Sequence, residues 1–250
     1  MKQVFIILIL TLPVFSAISQ NSSFELKKTS LKVPEMFSGV EDTIRKQFEA
    51  KGLQWPAKFI YIRSFKYDAN LEVWVKNTAK EKYQLFKVYK VCMQSGTMGP
   101  KRLQGDYQVP EGCYYINEFN PNSNYHLALG LNYPNSSDKI LSDSLRPGGD
   151  IYIHGSCVSV GCIPLTDKQI EELYVIAANA KNNGQEFIPV HVFPIKYDQK
   201  KSLEYLTASA KTNPALQKFA LQLKALFDRF EETRQLPAVM VNKKGEYVIN

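Results

Sequence analysis

The chain has 250 residues, with 31 Lys+Arg against 24 Asp+Glu, so its formal charge is +7. A hydrophobic fraction of 44% against 22% charged residues supplies apolar surface for a core and excludes wholesale disorder, while 13 Gly and 13 Pro exclude a collagen-like or low-complexity chain. The basic residues are interleaved with acidic ones and form no cluster of the kind that tracks a phosphate backbone, so no nucleic-acid partner is expected.

At the amino end, Lys2, an apolar run over 4–15 and Ser16-Ala17-Ile18-Ser19 compose a signal peptide at 1–19, with Ala17 and Ser19 suited to cleavage before Gln20. The apolar run is broken by Pro13 and falls short of the ~20 residues of a spanning helix, so no membrane span is expected in the mature chain. Export to the periplasm or cell envelope follows. It places Cys92, Cys113, Cys157 and Cys162 in an oxidising compartment, where four cysteines allow three disulfide connectivities.

Residues 20–56 form a polar lead-in with an amphipathic stretch at 40–48. From 57 to 195 the pattern is that of a sheet domain. Runs at 59–65, 71–75 and 83–91 alternate as strands, as do 113–119 and 125–131. Glycine and proline punctuate a loop-rich crossing between Cys92 and Cys113, and a long polar connection over 132–150 has the composition to hold substrate or to act as a lid. A short strand from Ile151 runs into a Gly/Ser-rich loop ending at Cys162, and Thr166 with Gln169 marks the start of a helix over 167–182. Another strand spans 188–193. Beyond Lys196 lies a helical extension, 196–250. In it Asn213 caps a helix, Pro214 takes its first turn, and Leu216, Phe219, Leu223, Phe227 and Phe230 share one face. A terminal hairpin closes the chain about Lys243-Lys244-Gly245.

The chemistry concentrates in His154-Gly155-Ser156-Cys157-Val158-Ser159-Val160-Gly161-Cys162. A thiol is mostly protonated at neutral pH, so nucleophilic catalysis needs a neighbouring imidazole or a helix N-terminus to hold the thiolate. His154 at a strand end and the helix that follows Cys162 offer both, and Gly161 permits backbone N–H groups near Cys162 to approach a carbonyl oxygen. Acyl transfer is the expectation. Ser159 is expected to support the loop. Cys157 is expected to be structural or disulfide-bonded, with its partner open among Cys92, Cys113 and Cys162.

At these residues the sequence resembles the L,D-transpeptidase catalytic family (YkuD-type), whose signature runs from His154-Gly155 to Ser159-Val160-Gly161-Cys162 here. With Leu103 through Gly112, Tyr125-His126-Leu127-Ala128-Leu129 and Tyr133-Pro134-Asn135, the resemblance is greatest to its YafK-like branch. It implies a mostly β, α+β fold: a YkuD-like β-sandwich catalytic domain with a C-terminal helical extension and terminal hairpin. It further implies attack by Cys162 on peptidoglycan stem peptides at the L-centre of meso-diaminopimelate, with His154 as base, oriented by the Gly155 carbonyl. No metal or organic cofactor is implied. Many members carry His before the Gly-Cys pair and Arg two residues after the Cys, where this chain has Val160 and Pro164. The acceptor therefore stays open among an amine, water and release of a wall-linked lipoprotein. By the same resemblance His126 faces the cleft, against the alternative of a packed strand histidine. Lys101, Arg102 and Arg146 are candidate partners for substrate carboxylates, against the alternative of solvated loop charges. Two other readings remain: a zinc site from His154, Cys157, Cys162 and His191, and a wall-binding module without cysteine catalysis.

Overall fold

The computed structural model describes residues 32–250; the signal peptide and the first part of the lead-in lie outside them. The lead-in is helical. In α1 (Lys32–Ala50) the amphipathic stretch buries Ile44 and Phe48, and Phe48 packs against Trp55 and Phe86 with ring centroids 4.9 and 4.1 Å apart. The expected strands follow as β1 (Phe59–Phe65), β2 (Asn70–Lys76), β3 (Gln84–Lys90), β4 (Gly112–Ser123) and β5 (His126–Leu131). The polar connection holds a short helix, α2 (Ser136–Leu141), whose start was legible as Asn135 with Asp138 three residues on. The Asn135 side chain accepts the Asp138 N–H, and the Asp138 carboxylate accepts the Asn135 N–H.

β6 (Tyr152–His154) and β7 (Ile163–Pro164) flank the Gly/Ser-rich loop. α3 (Asp167–Asn182) carries the expected capping box at Thr166 and Gln169, and β8 (Pro189–Phe193) follows. The extension comprises α4 (Lys200–Ala210), α5 (Pro214–Thr233) and the hairpin β9 (Val239–Val241) and β10 (Tyr247–Ile249).

The architecture is α+β. The first eight strands make one sheet in the order β3-β2-β1-β8-β4-β5-β6-β7. Its two halves are joined through β4, which pairs with β8 at Gly112–Tyr115 and with β5 beyond Ile116. Period-two alternation sorts the side chains. Ile60, Ile62, Val73 and Leu129 join α1 and α3 in one core. Tyr61, Phe65, Trp74 and Phe193 face the other way, under α5. On β4 and β6 that second face presents Glu118, Asn120 and Tyr152 half-buried, and the candidate site lies there.

Arg63 fixes α5 to the sheet. It is 1% exposed, its Nε and Nη2 donate to Glu72 Oε2 at 2.9 and 2.6 Å, and its Nη1 donates to Glu231 of α5 at 2.7 Å. Its guanidinium stacks between Trp74 and Phe230, 4.8 and 4.7 Å from the ring centroids. Burial alone would raise the Glu72 carboxyl, but Arg63, Lys196 and Trp74 outweigh it and hold the group below its ordinary range. Arg63→Met leaves Glu72 buried with fewer donors and is expected to cost about 3 kcal/mol or more. The check is a lower urea midpoint at unchanged slope; a shift under about 1 kcal/mol removes Arg63 as the anchor.

Candidate active site

Parallel pairing of two short strands builds the site. Ile153 sits opposite Ile163 and His154 opposite Pro164. Ile153 and Ile163 are both buried in the core, so the alternation turns Tyr152, His154 and Cys162 to the opposite face. The Tyr152 N–H points at Cys162 Sγ, 3.4 Å away, and the thiol lies 3.6 Å from the Asp150 carbonyl. His154 is one pleat further along, which places its Cα about 8 Å from that of Cys162 by strand spacing and rise.

The imidazole is oriented by its own neighbour. His154 Nδ1 lies 2.7 Å from the Gly155 carbonyl, which only accepts, so Nδ1 carries the hydrogen and Nε2 is left as a free base. The Tyr125 ring covers the imidazole, with centroids 4.7 Å apart and planes 31° apart. Burial holds the imidazole below its ordinary pKa, although the Gly155 carbonyl opposes this. For Cys162, burial likewise dominates and raises the thiol; Asp150 adds to the rise, while the Tyr152 N–H and Lys101 oppose it. Burial thus favours the uncharged thiol and the uncharged imidazole, whereas the sequence pattern points to a thiolate. At the α3 N-terminus, Asp167 of the first turn accepts the Ser156 N–H at 2.8 Å.

The loop between the strands is tied at several points. Cys157 forms a disulfide with Cys92, which leaves Cys162 free at the half-buried position and Cys113 free. A Cβ on Gly155 would lie 2.6 Å from Asp167 Oδ1 and 2.9 Å from the Tyr125 carbonyl, so only glycine fits. Among the described residues, five of the seven non-glycine residues with positive φ are Tyr107, His126, Asp150, Ser156 and Cys157, so the strained backbone gathers around this loop.

Gly161 adopts φ 140°, and a Cβ there would lie 3.2 Å from the Gln108 carbonyl. Its N–H donates to Ser159 Oγ at 3.0 Å, so it is not free to serve an oxyanion; the Tyr152 N–H is the donor aimed at the sulfur from the neighbouring strand. Ser159 also donates to the Cys162 carbonyl at 2.7 Å, which fastens the turn ahead of the thiol.

The remaining candidates separate. His126 packs beside Gly155, and its Nε2 lies 2.7 Å from Glu171 of α3. Lys101 is buried close enough to act on the thiol, but its ammonium is held by Asp106 at 2.5 Å and the Leu103 carbonyl at 2.9 Å. Arg102 turns to Asp138 at 2.9 Å and stacks on Phe219. Arg146 is exposed; its N–H donates to Asp143 Oδ1 at 2.7 Å and its carbonyl accepts the Gln104 N–H at 2.8 Å, which ties the two loops together. Neither Lys101 nor Arg102 offers an unpaired cation to a substrate carboxylate, which corrects that expectation.

The residues of the zinc reading are not assembled. Cys157 is in a disulfide, and His191 is buried with Nδ1 2.7 Å from Tyr61, its pKa pushed down to about 3 by burial and then by Arg63. Among the described residues no group of three or more His, Cys, Asp or Glu is placed to hold a metal.

Sequence reasoning passed over Tyr125 and Tyr152. Tyr152 was within reach, since it lies two residues before His154 on one strand and so shares its face. The neutral pair has a measurable signature: alkylation of Cys162 by iodoacetamide is expected to rise with pH about a midpoint above the ordinary thiol value of about 8.5. A midpoint near 7 would mean a thiolate at rest.

The sequence model of YkuD, the L,D-transpeptidase catalytic domain, matches residues 71–192. The chain is 35% identical over 193 residues to the protein named "Putative L,D-transpeptidase YafK" of Escherichia coli K12, covering 76% of this chain and 74% of that one, and matches the Escherichia coli O157:H7 protein of that name equally. Among solved structures it is similar to the helical cell shape determining protein Pgp2 of Campylobacter jejuni, at 21% identity and TM-score 0.44 over 74% of this chain and 73% of that one. It is also similar to L,D-transpeptidase 1 of Mycobacterium tuberculosis, at 14% identity and TM-score 0.31 over 54% of this chain and 61% of that one. The chain belongs to the YkuD L,D-transpeptidase catalytic domain family.

Proposed function

We propose that the chain is an exported cysteine acyl-transfer enzyme of the cell envelope, acting on peptidoglycan stem peptides. The observation that carries this reading is the Nδ1–H to Gly155 bond, which leaves His154 Nε2 unprotonated on the face that presents the Cys162 thiol. Export is supported by the signal-peptide pattern at 1–19 and by the Cys92–Cys157 disulfide, a bond that persists in oxidising compartments. No helix among the described residues is long and apolar enough to cross a membrane.

In the first half-reaction, the Cys162 sulfur attacks the carbonyl at the L-centre of meso-diaminopimelate while its proton passes to His154 Nε2. The charge that develops on the carbonyl oxygen lies beside the Tyr152 N–H. Collapse expels the amine of the following residue, which takes the proton from Nε2 and leaves a thioester on Cys162. In the second, an acceptor amine gives its proton to Nε2, attacks the thioester and restores the thiol; water in its place yields the free acid. Because the pair starts neutral, the single proton shuttles between sulfur, imidazole and the two amines without a stored charge. The unpaired state of Cys162 favours this reading over a wall-binding module whose thiols are all in disulfides.

Three measurements test it. A carbapenem is expected to add one adduct by intact mass, lost in Cys162→Ala; labelling of that variant defeats the assignment. His154→Ala is expected to lower acylation roughly 10²-fold or more. In the unaltered chain, acylation is expected to fall as pH drops through the imidazole pKa, because protonated Nε2 cannot accept. That limb lies below the ordinary histidine value of about 6.5, since burial depresses the group. Digestion of tetrapeptide-bearing muropeptides, followed for free D-Ala, cross-linked dimers and released Lys adducts, identifies the acceptor.

A further inference from the structure

A row of residues crosses the open face of the sheet at the level of the thiol. Cys162 lies beside Tyr152 of β6, Tyr152 pairs with Gly130 of β5, and Gly130 pairs with Glu118 of β4. The Tyr152 phenol reaches over β5 and donates to Glu118 Oε2 at 3.1 Å. Gly130 makes that reach possible: a Cβ there would lie 2.8 Å from Asn117 Oδ1, 2.9 Å from Glu118 Cβ and 3.2 Å from Tyr152 Cε1. The sheet is thus pared to bare backbone where the phenol passes, and the Glu118 carboxylate is held over it, about two strand spacings, or about 10 Å, from the Cys162 strand.

The charges point the same way. Glu118 is half-buried, a neutral phenol is its hydrogen-bond donor, and no basic side chain among the described residues pairs with it. Lys101 and Arg102 are neutralised by Asp106 and Asp138, while Asp150 stands near enough to the thiol to act on it. A chain of formal charge +7 therefore carries two carboxylates, Glu118 and Asp150, on this side of the sheet, while the cations Lys101 and Arg102 are already paired. Such a face suits a cation, and a carboxylate freed from water on one side discriminates strongly for one.

We propose that Glu118, set by Tyr152 across Gly130, binds the side-chain ammonium of the donor residue whose carbonyl Cys162 attacks. This deepens the acyl-transfer reading and rests on it for the substrate's orientation. The donor's extended side chain lies along the row, its amine on Glu118 and its carbonyl at the sulfur.

The test uses two stem tetrapeptides, one with that side-chain amine free and one with it acetylated. Calorimetry on the full chain carrying Cys162→Ala is expected to show the free amine bound roughly tenfold or more tighter, the size of a charge-assisted hydrogen bond. Adding Glu118→Gln, which keeps the shape and an acceptor for Tyr152, is expected to bring the two peptides within about twofold, and Glu118→Asp to retain part of the difference. With Cys162 intact, the same discrimination is expected in KM, with kcat nearly constant. Equal binding of both peptides by the parent, or discrimination that survives Glu118→Gln, overturns the proposal. Discrimination in binding with no adduct on Cys162 upholds Glu118 and overturns acyl transfer; adduct formation without discrimination does the reverse.

Discussion

The site depends on a parallel pairing only two register positions long. β6 and β7 are too short to persist alone, and they hold because each drives an isoleucine, Ile153 and Ile163, into the core beneath the sheet. Burying those two side chains obliges their neighbours to face outward, so Cys162 and the row of Tyr152 and His154 meet on the other side. Hydrophobic burial thus sets the geometry of the chemistry. A slip of one residue would send the thiol inward and an isoleucine into the cleft.

Around this seam, polar groups are fixed by fixed partners. The Gly155 carbonyl chooses the imidazole tautomer, Ser159 staples the turn before the thiol, and Asp167 receives the loop at the helix start. Each acts over one or two hydrogen bonds, and together they leave little for the substrate to organise on arrival. Burial raises the thiol and depresses the imidazole, so both are uncharged at rest. A neutral pair of this kind is quiet toward stray electrophiles. On the proposed mechanism it becomes reactive when a carbonyl is placed so that proton transfer and attack proceed together.

Much of the fold was legible because its signals are local. The alternation at 59–65 and 71–75, the Thr166–Gln169 capping box, and Asn213-Pro214 each act over a few residues. α2 was missed although Asn135 and Asp138 announce it, because six residues of helix leave no periodic trace in a polar stretch. At the site, the motif itself and the disulfide state of Cys157 could be anticipated from residue types and compartment. The identity of its partner could not, since Cys92 and Cys157 are separated by 65 positions. Glu118 escaped for the same reason: its place beside the cleft is a matter of strand order, which a linear pattern does not encode. The loop cations were misjudged as free because the carboxylates that hold them, Asp106 and Asp138, are ordinary in sequence and meaningful only once the loops are closed.

The disulfide between Cys92 and Cys157 has a bearing on how the chain reaches its working form. When an oxidant meets the new polypeptide, Cys92 faces three other thiols, Cys113, Cys157 and Cys162, and the last is the proposed nucleophile. Joining that one would silence the molecule while leaving most of its framework intact. In the folded chain the β6–β7 pairing sets Cys162 against the Tyr152 N–H, while Cys157 is bonded to Cys92, so the finished sheet holds the two sulfurs on separate partners. The framework bond and the proposed nucleophile are thereby kept apart by the same short seam.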